Sequence, residues 1–186
     1  MIYMKKLSLV EVIIKYRSTV GIICLIAVLY LSEPTMVSIP TGFFIMLLGV
    51  FFRGWSSGYI NKDNELATKG PYSLTRNPLY FGNFILGIGI AFAAHNIYAY
   101  VICFVFYFLF FPFLISIENK RLKKKFGEKY ETWSKNLNTF FPKIKIIKDS
   151  QFNISFYMKN REYKVFYFSL LIIALLVIKY LIQLKN

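Results

Sequence analysis

The sequence predicts an all-α polytopic membrane bundle of about five transmembrane helices, with interfacial amphipathic helices beside them. Three observations carry this. Of the 186 residues, 56% are hydrophobic and 19% aromatic, and the mean hydropathy is +0.49, which is too apolar for a soluble domain of this length. The apolar residues fall into five runs set apart by polar or Pro/Gly-containing stretches, of which the fourth, Ile97 to Ile117, is the clearest span at full bilayer length. The net charge of +14 is clustered between the runs, which points to a bilayer with anionic lipid as partner and not to nucleic acid.

Residues 1–17 mix Leu7, Leu9, Val10, Val12, Ile13 and Ile14 with Lys5, Lys6, Glu11, Lys15 and Arg17, a pattern for an amphipathic helix lying in the interface. The first run, Ser18 to Ser32, is short for a span, so its helix should begin upstream, with Lys15 and Arg17 snorkelling, and stop at Glu33-Pro34. Met36 to Phe52 forms the second run, and the short connection before it implies an antiparallel hairpin. Arg53 closes this run beside Trp55, in the manner of a charged helix end with an interfacial aromatic. The third run, Leu79 to Ala94, contains Gly82, Gly87 and Gly89, which would let a helix or a ligand approach closely. With no strand before it, Gly87-Ile88-Gly89 suits helix packing better than a nucleotide site.

The turn His95-Asn96 leads into the fourth run, Ile97 to Ile117, where Pro112 should kink the helix. Leu122, Phe126, Tyr130 and Trp133 then recur at helical spacing among many lysines, as in an amphipathic helix against the membrane. Glu118 stands where the span meets water. Residues 138–149 read as an irregular interfacial strip, and Val165 to Leu184 is the fifth run. Cys24 and Cys103 lie inside apolar runs without ligand spacing, so neither a disulfide nor a metal site is expected. The lone His95 reads as a loop residue and not as a catalyst. No internal repeat or linker divides the chain, so residues 1–186 are expected to form a single domain. No removable signal peptide is expected, because no small-residue cleavage site follows Lys5 and Lys6.

The third run is introduced by Lys69-Gly70-Pro71-Tyr72-Ser73-Leu74-Thr75-Arg76-Asn77-Pro78-Leu79-Tyr80-Phe81-Gly82-Asn83. Gly70-Pro71 is turn chemistry, Asn77 before Pro78 is biased away from the α region, and Pro78 suits the first turn of a helix. Arg76, Asn77 and Tyr80 are thereby held beside a free helix N-terminus where polar chain meets bilayer. The connections 33–40 and 94–99 carry no Lys or Arg, whereas 118–164 holds more than half of the chain's 23 cations. By the positive-inside rule the N-terminus and both long polar loops are cytoplasmic.

The pattern from Gly70 through Thr75-Arg76-Asn77-Pro78-x-Tyr80-x-Gly82 resembles the membrane-embedded isoprenylcysteine carboxyl methyltransferase and phospholipid methyltransferase group. The stretch Glu118-x-x-x-Leu122-x-x-x-Phe126-Gly127-x-x-Tyr130-x-x-Trp133, ending at Phe141-Pro142, resembles that group's second signature. Arg53 matches a position the group usually fills with arginine. Together these cover residues 49–142. Two departures are visible: Asn77 replaces the commoner histidine, and Asn119 replaces the second carboxylate after Glu118.

The resemblance implies an S-adenosylmethionine-dependent methyltransferase, with the cofactor in a cytoplasm-facing pocket and a lipophilic acceptor such as an isoprenylcysteine carboxylate or a lipid headgroup. It implies Arg76, Asn77, Tyr80, Glu118 and Tyr72 at the cofactor, and Arg76, Glu118 and Arg53 in catalysis. Trp55, Tyr130 and Trp133, with Tyr72, are candidate aromatic walls. The loss of histidine at position 77 favours an acceptor that needs no base. Two alternatives remain at this point: an NADPH-dependent membrane lipid or sterol reductase, and a non-catalytic membrane protein that docks lipid or a partner.

Overall fold

A computed structural model describes residues 9–61, 64–145, 147 and 152–185, with side chains from residue 16 onward. Among these residues the chain forms α1 (Leu9–Leu31), α2 (Ser38–Ser57), α3 (Pro78–Ala94), α4 (Ile97–Phe126), α5 (Glu128–Ser134), α6 (Ile154–Lys159) and α7 (Tyr163–Gln183), and no strand. By length and composition α2, α4 and α7 can each cross a membrane, and shorter apolar stretches are Tyr16–Leu31 of α1 and α3. The five apolar runs are therefore five helices of one membrane bundle.

The boundaries follow from local chemistry. Before α2, Thr35 and Ser38 cap one another: Thr35 N donates to Ser38 Oγ at 2.8 Å and Ser38 N to Thr35 Oγ1 at 2.9 Å. Asn77 is outside the helical region, at φ −131° and ψ 59°, and Pro78 sits in the first turn of α3. His95 ends α3 in the left-handed conformation, with φ 50°, and Asn96 Oδ1 accepts from Tyr98 N at 2.9 Å to start α4. As expected, α1 begins well before Ser18 and runs without a break into the first apolar run. The amphipathic segment expected over residues 1–17 lies largely outside the described residues.

Two expectations change. The short 32–37 connection does not pair α1 with α2; α1 packs mainly on α4, while α2 packs on α3 and α7. Val28 shares a buried cluster with Ala94 and Ala99, and Gly21 faces Phe106, so α1 and α4 run antiparallel. The amphipathic helix drawn across 118–133 is interrupted at Gly127, whose φ is 50°, a conformation that glycine adopts without strain. Pro112 lies inside α4.

Glycine explains the tightest contact. A Cβ at Gly42 would stand 2.4 Å from Ala93 N, and one at Gly49 would stand 2.8 Å from Leu86 N. Only bare backbone lets α2 and α3 approach this closely. Met46, Leu86 and Ala93 close the centre together with Ile172 and Leu176 of α7. Because α2 opposes α3 and α7, and α4 opposes α1 and α3, the loop 58–77 and the segment 127–162 emerge at one end. The connections 32–37 and 95–96 emerge at the other.

Candidate functional site

At the end of the bundle that carries both long polar segments lies a cavity of about 850 Å³. Its walls come from α1, α2, α3, α4 and α7, the 60–76 loop, and Trp133 of α5. Arg53, Tyr72, Arg76, Asn77, Tyr80 and Glu118 all line it, as does Trp133. Residues far apart in sequence are thus brought to one site.

Each is held by a specific contact. Gly70 adopts φ 57° with the Tyr59 ring against its Cα, and a single 3-10 turn, Gly70–Ser73, carries Tyr72 inward. Burial pushes the Tyr72 phenol well above its usual range, with Glu162 and Glu118 adding to the effect, so the ring is a neutral wall. Trp133 Nε1 donates to the Tyr72 carbonyl at 3.1 Å. Arg76 N donates to the Asn138 carbonyl at 3.0 Å, and Arg76 Nη2 donates to Thr139 Oγ1 at 2.5 Å. Arg76 Nε is buried without a hydrogen-bond partner. Asn77, itself buried, donates from Nδ2 to the Thr139 carbonyl at 2.9 Å and toward Asn119 Oδ1 at 3.4 Å. Tyr80 meets Phe111 edge to face at 5.5 Å. Glu118 is about one-third exposed and lies 3.7 Å from Arg121.

Arg53 is already engaged. Its Nε and Nη2 reach the Glu162 carboxylate at 3.0 and 2.8 Å, and its Nη1 donates to Asn83 Oδ1 at 2.6 Å. Sequence reasoning missed Glu162, a lone acid at the start of the fifth run. Asn83 could have been found, since an amide inside an apolar run is a signal in itself. Arg17, expected to snorkel, lines the cavity together with Glu65, Arg121 and Lys125, so the cavity is rich in cations.

Two expected walls lie elsewhere. Trp55 packs against Phe51 and Phe52, one turn earlier on α2, and does not line the cavity. Tyr130 is buried behind Trp133, with its ring edge to face at 5.6 Å. The glycines of α3 leave no open path for a ligand: Arg53 Cγ fills the space at Gly82, the Tyr107 ring that at Gly87, and Met46 that at Gly89.

A second cavity, about 460 Å³ and almost wholly apolar, lies between α3, α4 and residues 139–141. Tyr107 and Phe111 line both cavities, and Asn119 and Thr139 stand at the polar edge of the second one. No group of three or more His, Cys, Asp or Glu is placed to hold a metal ion among the described residues.

Such a bundle, with its polar motifs gathered at one membrane end, is that of an integral-membrane protein. The chain belongs to the phospholipid methyltransferase family, whose model matches residues 16–129. It is 32% identical over 98 residues to the nickel-cobalt-cadmium resistance protein NccN of Alcaligenes xylosoxydans xylosoxydans, covering 52% of this chain and 46% of that protein. It is 26% identical over 127 residues to the cobalt-zinc-cadmium resistance protein CzcN of Cupriavidus metallidurans, covering 66% and 58%. Over 84 residues it is 32% identical to the protein-S-isoprenylcysteine O-methyltransferase of Schizosaccharomyces pombe, covering 45% and 36%. The chain thus spans about half the length of the first two curated relatives. No solved structure matches it.

Proposed function

We propose that the chain is an S-adenosylmethionine-dependent methyltransferase acting on a lipophilic acceptor at the cytoplasmic face of a membrane. The observation that carries this reading is the gathering of Arg53, Tyr72, Arg76, Asn77, Tyr80 and Glu118 around one cavity in a chain of this family. The chemistry of the donor set fits the cofactor. Arg76, with its unpartnered buried Nε, suits a carboxylate, Glu118 suits an ammonium or ribose hydroxyls, and Tyr72 with Trp133 suits the adenine. At about 850 Å³ the cavity falls within the usual range for ligand sites.

The bound cofactor supplies an electrophilic methyl group. The protein's part is to bind, orient and keep water away, which is where most of the acceleration of an in-line displacement arises. Arg76, Asn77, Tyr80, Glu118 and Tyr72 hold the cofactor. Arg76 and Glu118 orient the reacting groups, and Arg53, fixed by its partners, shapes the wall. No histidine lines the cavity, which favours an acceptor already ionised, such as a carboxylate. The apolar cavity beyond Tyr107 and Phe111 offers room for a hydrocarbon tail. A tail entering from lipid gains little free energy there, since lipid is as apolar as the cavity, so the cavity acts by positioning. The excess of cations in 118–164 favours a cytoplasmic site.

Thermal shift in detergent tests the reading. S-adenosylmethionine at about a hundred times its Kd should stabilise the protein by about 2.7 kcal/mol. A shift with NADPH alone would favour the reductase, and no shift with either would favour a non-catalytic lipid-binding role.

A further inference from the structure

We propose that Glu162 is a positioning residue of the site: by neutralising Arg53 it keeps the cavity receptive to a ligand that bears a positive charge. The proposal rests on the cofactor reading above. Glu162 lies beyond residues 16–129, where the family model matches, and Phe168 of the same C-terminal segment lines the cavity, so that segment contributes to the site.

The geometry is specific. Arg53 leaves α2 and crosses α3 at Gly82, where an added Cβ would stand 2.6 Å from Arg53 Cγ. It then divides its guanidinium between Asn83 at 2.6 Å and both oxygens of Glu162 at 2.8 Å. The two charged side chains are 14% and 11% exposed, so an unpaired charge at either position would be costly.

Glu162 is itself held in place. Asn160 Nδ2 donates to the Ser57 and Ile60 carbonyls at 3.1 Å, and Asn153 N donates to the Gly58 carbonyl at 3.0 Å. This strap ties the start of α7 to the end of α2.

Electrostatics gives the pair its consequence. Arg17, Arg76, Arg121 and Lys125 already outnumber Glu65 and Glu118 around the cavity. An uncompensated Arg53 would add one more positive charge to that wall. S-adenosylmethionine carries a sulfonium, whereas S-adenosylhomocysteine has the same carboxylate, amine, ribose and adenine without that charge. The pair of ligands therefore reads the charge of the wall and little else.

The test is calorimetric titration of both ligands into the full-length protein in nanodiscs. Glu162→Gln should weaken S-adenosylmethionine relative to S-adenosylhomocysteine by about tenfold, the scale set by unit charges on the order of 10 Å apart at an effective dielectric near 20. Arg53→Met should shift the ratio in the opposite direction, which keeps the test alive should Glu162→Gln fail to fold. The double variant, with both charges removed, should return the ratio toward wild type. A ratio unmoved in the variants, with both ligands weakened equally, would reduce Glu162 to a structural contact and overturn the proposal. Wild-type protein that binds neither ligand would instead overturn the cofactor reading, and this proposal with it.

Discussion

Asn77 Nδ2 donates to the carbonyl of Thr139 at 2.9 Å, joining the residue that opens α3 to a strip more than sixty positions away. Thr75 Oγ1 reinforces the join at the carbonyls of Asn138 and Phe140, and Lys143 N donates to the Leu74 carbonyl. The strip that looked irregular in sequence is thus a strap over the motif. Asn77→Ala should leave the partly buried Thr139 carbonyl without this donor and cost about 1 kcal/mol of stability. A denaturation midpoint equal to wild type would show that the strap holds without Asn77.

The α2–α3 contact makes a sharper prediction. Gly42→Ala places a methyl group 2.4 Å from Ala93 N, and backbone on both sides leaves no flexible side chain to yield. We expect overpacking to cost about 1–3 kcal/mol. Gly21→Ala, which would meet only the Phe106 ring at 3.4 Å, should be nearly neutral. The comparison is read from thermal unfolding of the two variants in detergent; equal midpoints would contradict the packing described.

These cases mark what could be read from the chain. Pro78 after Asn77 gave the start of α3, and the turn His95-Asn96 gave the junction of α3 and α4, because turn chemistry and proline sterics act locally. Helix partners were not legible, since an apolar run is compatible with several neighbours. The ambiguity at Gly82, Gly87 and Gly89 was of this kind: glycine announces a close approach without naming what approaches. Gly127 misled for another reason. Leu122, Phe126 and Trp133 do face one cavity, but on two helices that meet at a left-handed glycine. Glu162 carried no pattern at all, and only the tertiary fold reveals its pairing with Arg53.

Glu118→Gln keeps the size of the side chain and removes its charge. With Glu118 on a cation-rich wall and about one-third exposed, cofactor affinity should fall by about 1–2 kcal/mol, or roughly 5- to 30-fold. Calorimetry giving the wild-type Kd would return Glu118 to the role of counter-ion for Arg121.

The packing directions place Asn64 and Lys129 at one end of the bundle and Met36 at the other. With Cys24 and Cys103 replaced by alanine, single cysteines at these three positions can be labelled in sealed vesicles. Asn64→Cys and Lys129→Cys should report the cytoplasmic side, and Met36→Cys the opposite one. Labelling of Met36→Cys and Asn64→Cys from the same side would sink the five-span topology. All three reporting the reverse would preserve the fold and invert the orientation.

The apolar cavity between α3, α4 and residues 139–141 should govern the acceptor and not the cofactor. Ser116 lines it without lining the polar cavity, so Ser116→Trp fills the tail space from α4 and leaves Arg76, Asn77 and Glu118 untouched. The bulk should not act through lost hydrophobic energy, because a displaced tail returns to a bilayer of similar polarity. It should act through positioning, where a misplacement of about 1 Å costs on the order of a hundredfold in rate. Radiolabelled S-adenosylmethionine with total membrane lipid as acceptor provides the measurement. We expect label in the lipid fraction for wild type, at least about a tenfold loss for Ser116→Trp, and the same cofactor-induced thermal shift in both. Unchanged transfer would move the acceptor's tail elsewhere in the bundle. Label found in the aqueous fraction alone would rule out a lipophilic acceptor.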